Sequence, residues 1–271
     1  MLMLKNEKQD IDDTIKVTDI LGGKDVILQN TFFSKAKEVP GMAEVYRAWA
    51  AEKMPIHYVS NSPWQVYPAI SDFIEQYQFP KGSMHLRVIS TTGLIRGKPG
   101  RHKMDVITQI LEDFPMRKFI LVGDSGEIDP EIYHDIYHLY PHQIIKIFIH
   151  DVSSERAVQF DRRVRKRSDS YYESIRKFIT RDNNARRRTG TSTQTAMDAM
   201  VDTEVPQEQQ MIMDANVPLQ TKLEEFEARM KRVSSSLPDN VFSVFNLASQ
   251  LLLDPVVAEQ VAAYKENGMM D

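Results

Sequence analysis

Three short apolar runs, separated by helical patterns, constrain the fold more than any other feature of this chain. Ile56-His57-Tyr58-Val59, Phe119-Ile120-Leu121-Val122 and residues 144–149 (IIKIFI) each end in small or polar residues and read as strands. Between them lie helical stretches at 42–53, 66–78 and 103–114. The first follows the turn signal Pro40-Gly41, and in the last Met104, Ile107, Ile110 and Leu111 share one face. Strand, helix, strand at this spacing predicts βαβ units and a parallel sheet flanked by helices, an α/β fold.

The chemistry such a scaffold can carry is narrowed by composition. The chain has 271 residues and no cysteine, which excludes a disulfide framework, a Cys-rich zinc site and catalysis by a thiolate. Its opening, MLMLKNEKQD, lacks the apolar core and small-residue cleavage site of a signal peptide, and no apolar run reaches about 18 residues. The expectation is a cytoplasmic protein, not secreted and without a transmembrane helix. The net charge of −4 is unevenly spread. Between Asp161 and Arg188 eleven Lys/Arg face four Asp/Glu, a local +7 that leaves −11 on the remainder.

Four segments have chemical promise. Asp10-Ile11-Asp12-Asp13-Thr14 supplies two carboxylates at i and i+2, which face one point if the first ends a strand. One can then attack phosphorus while the other handles the proton of the leaving group. His57-Tyr58-Val59-Ser60-Asn61-Ser62 places hydroxyls at the C-terminal end of a strand, where open α/β sheets bind ligands. Lys103 begins a helix, so its ammonium and the first-turn N–H groups can hold an anion together. Val122-Gly123-Asp124-Ser125-Gly126-Glu127-Ile128-Asp129 follows a strongly apolar strand and brings two more carboxylates, five residues apart. Mg2+ takes oxygen ligands from one or two carboxylates, water and substrate phosphate, which suits this supply. Each segment also has a plain reading, as turn, solvated helix charge or surface loop. Their order along one βα chain favours the chemical one.

That order resembles the haloacid dehalogenase-like phosphatases: DxDxT, a Ser or Thr after a strand, a Lys, then GDxxxxD. DIDDTIKVT, NTFF, VPGMAEVYR, HYVSNSPWQVYP, FPKGSMHLR and KFILVGDSGEIDPEIY are similar, more narrowly, to the catalytic domain of the fungal actin-patch phosphatidate phosphatases, distant relatives of the lipins. The resemblance covers residues 10–155. It implies a Mg2+-dependent hydrolysis of phosphatidate to diacylglycerol and phosphate. Asp10 would be the nucleophile, forming an aspartyl-phosphate, and Asp12 the acid that protonates the leaving alcohol and then helps activate water. Mg2+ would rest on the Asp10 and Asp124 carboxylates and the Asp12 backbone carbonyl. Ser60 and Lys103 would hold phosphate oxygens, with Asp129 and Asn61 in support.

One stretch departs from the pattern. Lys5-Asn6-Glu7-Lys8-Gln9, just before Asp10, is wholly polar, a poor composition for a central strand buried on both faces. The first strand is therefore expected to be truncated, through a chain start inside it or in an inactive variant. The expected organisation is a phosphatase domain over 1–180, a disordered linker over 181–218 and a helical C-terminal segment over 219–271. In that last segment Leu219, Leu223, Phe226, Met230, Val233 and Leu237 follow a heptad seam. It suits a self-contained helical hairpin as well as a coiled coil with a partner. A second apolar helix pattern runs over 241–253.

Other readings stay open. A catalytically weak scaffold, binding cortical actin or endocytic partners through its C-terminal helices, is a second class of function, and another phosphomonoester lipid a second class of substrate. The basic run from Arg162 to Arg188 suits a solvated helix and tail or an anionic membrane surface, with nucleic acid least favoured. Trp64 and Tyr67 border either an acyl-chain entrance or the core. His134 and His138, spaced i and i+4, are superficially like a zinc motif but carry Asp in place of its Glu.

Overall fold

In the computed structural model the described residues are 3–9, 15–17, 37–88, 100–166, 173 and 220–268. They divide into two compact units, one of residues 1–153 with 229–271 and one of residues 154–228. In chain order the first unit holds β1 (Met3–Gln9), β2 (Lys16–Val17), β3 (Lys37–Glu38), α1 (Met42–Ala51), β4 (Ile56–Pro63), α2 (Tyr67–Gln76), β5 (Ser83–Arg87), α3 (Arg101–Asp113), β6 (Arg117–Asp124), α4 (Asp129–Leu139) and β7 (Ile144–His150). The second unit holds α5 (154–166) and the start of α6 (Lys222–Ser234). The chain then returns to the first unit for β8 (Phe242–Phe245), α7 (Ser249–Leu252) and α8 (Pro255–Gly268).

Six strands form one sheet in the order β5-β4-β1-β6-β7-β8, every neighbouring pair parallel, and β2 and β3 form a small antiparallel ribbon. The parallel sheet flanked by helices is thus the architecture. The three strands read from apolar runs are β4, β6 and β7. The polar stretch before residue 10 lies in β1, in the middle of the sheet. It pairs with β4 over Glu7–Gln9 only, and its ladder to β6 shifts register between Leu4 and Glu7. Ladder hydrogen bonds are made by backbone groups, so a polar segment can pair between two strong neighbours.

Alternation along the strands feeds two cores. Ile120, Val122 and Phe148 join a buried cluster with Met42, Tyr46 and Trp49 of α1, Ile70 and Phe73 of α2, and Phe245, Leu251 and Val257 from the C-terminal part. Phe119, Leu121, Ile147 and Ile149 alternate with them and are also buried. They belong to the opposite face, where Ile107, Ile110 and Leu111 of α3 and Ile132 and Ile136 of α4 supply the apolar sides.

The C-terminal part differs from its sequence reading. Phe242–Phe245, expected within a helix, is a strand that extends the sheet beside β7, with Ile147 paired to Phe242 and His150 to Phe245. Its apolar, β-branched and aromatic composition fits either state over four residues, and an open parallel edge decides for strand. The last three seam residues, Met230, Val233 and Leu237, are buried within this unit. The expected linker over 181–218 lies outside the described residues. Of the basic run, Arg162, Arg163, Arg165 and Lys166 are described, all exposed on α5.

Candidate active site

Register fixes the geometry of the site before any side chain is considered. Gln9, the last residue of β1, pairs with Tyr58 of β4 on one side and Val122 of β6 on the other. Two residues further on, those flanking strands carry Ser60 and Asp124. Parallel strands lie about 4.8 Å apart, so Ser60 and Asp124 flank the point where the chain leaves β1, with backbones roughly 10 Å apart. Asp10 and Asp12, the expected nucleophile and acid, lie outside the described residues.

Ser60, Lys103, Asp124 and Asp129 are all fully buried. Ser60 Oγ accepts the backbone N–H of Ser62 at 3.0 Å, a local turn that leaves the hydroxyl proton to donate elsewhere. Lys103 stands in the first turn of α3, where a cation opposes the helix dipole. Asp129, first residue of α4, offsets this: Lys103 Nζ donates to Asp129 Oδ1 at 2.5 Å. Gly100, just before α3, has φ +81°, a conformation that favours glycine, and it faces the start of α4. A Cβ there would come within 2.3 Å of Ile128 Cδ1, beside the start of α4.

Asp124 ends β6 and is held asymmetrically. Its Oδ1 accepts the backbone N–H of Gly126 at 2.6 Å and of Glu127 at 3.0 Å. Its Oδ2 is buried and has no hydrogen-bond partner among the described residues. Burial and then the adjacent Asp129 carboxylate push the pKa of Asp124 well above the usual carboxylate range, with the Lys103 charge pulling the other way. An orphaned carboxylate oxygen in a negatively charged, dry site suits a hard divalent cation. Among the described residues no three acid or imidazole side chains gather as a complete metal site. The expected ligand set draws its remaining members from residues 10 and 12.

Two functional neighbours escaped the sequence reading. Glu127, within the quoted GDSGEID run, accepts a hydrogen bond from Asn61 Nδ2 at 3.3 Å and lies 3.7 Å from Lys103 Nζ. It thereby links the end of β4 to the loop after β6. Arg229 of α6 sits about a hundred residues downstream and grips the same loop from behind. Its Nη1 donates to Ser125 O at 2.7 Å and its Nη2 to Glu127 O at 2.5 Å, while Nε and Nη2 fork onto the Glu131 carboxylate at 2.7 and 2.6 Å. Spacing in the sequence carries no sign of that return.

Beside the site, Trp64 and Tyr67 stack with ring centroids 4.8 Å apart and are 51% and 38% exposed, so neither is a core residue. His134 and His138 both set Nε2 against Ser236 Oγ, at 2.8 and 3.1 Å.

Comparison with known proteins gives these features a context. The profile of the family described as "Phosphatidate phosphatase APP1, catalytic domain" matches residues 9–151. An uncharacterised protein of Schizosaccharomyces pombe is 32% identical over 151 residues, covering 54% of this chain and 25% of that protein. Phosphatidate phosphatase APP1 of Saccharomyces cerevisiae is 36% identical over 145 residues, 52% of this chain and 24% of the relative. The chain spans about a quarter of the length of these curated relatives.

Proposed function

Since the chain belongs to the phosphatidate phosphatase APP1 catalytic-domain family, we propose that it hydrolyses phosphatidate to diacylglycerol and phosphate with Mg2+. The observation that carries this reading is the end of β1. Gln9 pairs between the strands bearing Ser60 and Asp124, and the next residue in the chain is Asp10.

The steps follow from the residue types. The Asp10 carboxylate attacks phosphorus and the bond from phosphorus to the glycerol oxygen breaks. That oxygen takes its proton from Asp12, so diacylglycerol leaves as a neutral alcohol. Asp12, now a base, removes a proton from water. The resulting hydroxide attacks phosphorus, the bond from phosphorus to the Asp10 oxygen breaks, and phosphate leaves with the Asp10 carboxylate restored. Asp124 Oδ2, the Asp10 carboxylate and the Asp12 backbone carbonyl would hold Mg2+, which supplies positive charge against the phosphate oxygens when bound. Lys103, ion-paired with Asp129, and the Ser60 hydroxyl bind the remaining oxygens. Asn61 ties the β4 end to Glu127 and so keeps the two walls in register. Positioning and charge compensation do most of the work in such a displacement.

Access to a lipid is supported by two surface features. The exposed Trp64/Tyr67 stack lies four to seven residues beyond Ser60 and can enter the headgroup region of a bilayer. The run from Arg162 to Arg188, whose described cations are exposed, would add about 1 kcal/mol per Lys or Arg at an anionic surface. No described helix is long and apolar enough to cross a membrane. A peripheral, cytoplasmic enzyme with actin-patch or endocytic partners belongs to the same reading and rests on the family resemblance.

The test is phosphate release from phosphatidate micelles, with Mg2+ or with EDTA, for the wild type and Asp10→Asn. Release that needs Mg2+ and vanishes in the variant supports the reading. Full activity of Asp10→Asn overturns it, and lysophosphatidate and diacylglycerol pyrophosphate run in parallel separate this substrate from other phosphomonoester lipids.

A further inference from the structure

Arg229 makes four hydrogen bonds and spends two of them on peptide groups of the loop that carries Asp124. The pattern is reciprocal. The Ser125 carbonyl that Arg229 holds belongs to the same peptide unit as the Gly126 N–H, which donates to Asp124 Oδ1 at 2.6 Å. A trans peptide points its C=O and N–H in opposite directions, so this unit is gripped by a guanidinium at one end and a carboxylate at the other. Glu127 is also held at two points, but through two adjacent peptide units: its N–H, in the unit shared with Gly126, donates to Asp124 Oδ1, and its carbonyl, in the next unit, accepts from Arg229. In the Ser125–Gly126 unit the donor on the carbonyl polarises the peptide and strengthens its N–H as a donor to Asp124.

We propose that Arg229 is a positioning residue for the metal-binding carboxylate: through these two backbone links it ties down Asp124 Oδ1 and leaves Oδ2 as the oxygen offered to the cation. The proposal rests on the Mg2+ phosphatase reading above. Every atom in the chain of contacts belongs to the first compact unit, yet Arg229 lies beyond residue 151, where the family match ends. It is therefore a feature that the matched catalytic segment does not contain.

The geometry asks for arginine in particular. Five N–H donors in a planar fork let one side chain take both oxygens of Glu131 and two carbonyls at once. Glu131, in the first turn of α4, orients the fork, and Glu127 and Ser125 supply carbonyls at the right spacing. Lysine has three donors on one nitrogen and cannot span this set. The loop is pinned independently at its start: Ser125 N–H donates to His150 O at 2.9 Å, and Ser125 Oγ accepts from Val152 N–H at 3.0 Å. Losing Arg229 should therefore loosen the Gly126 to Glu127 part and leave the strand end in place.

The experiment compares wild type, Arg229→Met and Arg229→Lys as full chains. Mg2+ binding is read by calorimetry without substrate, and kcat and KM for phosphatidate micelles are read at saturating Mg2+. Second partners of metal ligands typically contribute 10- to 100-fold in metal affinity, so Arg229→Met is expected to weaken Mg2+ binding about 10-fold or more. KM for phosphatidate at saturating Mg2+ should stay within about twofold, and Arg229→Lys should recover only part of the affinity. A folded Arg229→Met protein with wild-type Mg2+ affinity overturns the proposal. If Arg229→Met does not fold, Arg229→Lys decides by the same measure: weakened Mg2+ binding supports, unchanged binding overturns. A wild type that binds Mg2+ without hydrolysing phosphatidate would sink the functional reading and leave this one standing. A wild type that binds no divalent cation would sink this one.

Discussion

Lys103 Nζ and Asp129 Oδ1 meet at 2.5 Å, and neither side chain reaches solvent. The pair joins the first turn of α3 to the first turn of α4, with Asp129 close against Gly123 near the end of β6. Breaking a buried pair from one side strands the other charge and costs about 3–5 kcal/mol. Lys103→Met should lower unfolding free energy by that amount in urea titrations. Adding Asp129→Asn should restore part of the stability, because the stranded charge is gone, while phosphate release stays lost. A double variant no more stable than Lys103→Met would contradict this account.

Gly123 allows Asp129 to come close to the sheet. A Cβ at position 123 would lie 2.4 Å from Asp129 Oδ2 and 2.8 Å from the Tyr133 ring, closer than real contacts allow. Tyr133 cannot move away freely, because its hydroxyl donates to Val122 O at 2.9 Å. Gly123→Ala should cost about 1–3 kcal/mol and displace Asp129 from Lys103. An unchanged denaturant midpoint would show that the neighbours yield without cost.

Much of the sheet, and the positions of several candidate site residues, were legible because they are written locally. Apolar runs with a period of two or a continuous core marked β4, β6 and β7, and the glycine-flanked acids after β6 marked Asp124 and Asp129. What was hidden is long-range. The polar residues of β1 pair because two strong strands flank them, which no local pattern states. Phe242–Phe245 is a strand because β7 offers an edge, and Arg229 acts at a site a hundred residues away in sequence. Glu127 sat inside a segment already marked, but its role depends on the positions of Asn61 and Lys103 in space.

The C-terminal part is fastened by a second buried pair, Lys146 Nζ to Asp254 Oδ2 at 2.7 Å, with Lys146 also donating to Asn240 O at 2.9 Å. The two partners are not equivalent. Asp254 Oδ1 also accepts the N–H groups of Val256 and Val257 at the start of α8, so it keeps partners without Lys146. Asp254→Ala should therefore be the costlier change, about 3–5 kcal/mol, and Lys146→Met the milder. Hydrogen exchange at the amides of 242–245 should speed up in Asp254→Ala before the rest of the sheet follows. Equal costs for the two variants would argue against this asymmetry.

Glu131 links the Arg229 grip to pH. Burial works to raise its pKa, but the hydrogen bond and charge of Arg229 outweigh it and hold the group below its ordinary 4.5. A carboxyl depressed on folding stabilises the protein fully above its unfolded pKa, and that contribution fades as pH falls through the folded value. Glu131 is nearly half exposed, so solvent screening limits the effect to about 1 kcal/mol or less. Unfolding free energies measured from pH 6 downward should thus show a wild-type advantage over Glu131→Gln near pH 6 that shrinks below about pH 4.5. In Arg229→Met the two largest contributions against burial are lost and only a backbone N–H and the Arg232 charge remain, so the Glu131 pKa rises and its ionised form loses most of its stabilisation. That variant should lose most of the advantage over its own Glu131→Gln counterpart throughout the range. Parallel pH curves for wild type and Glu131→Gln would mean that Arg229 holds the loop through its carbonyl bonds alone.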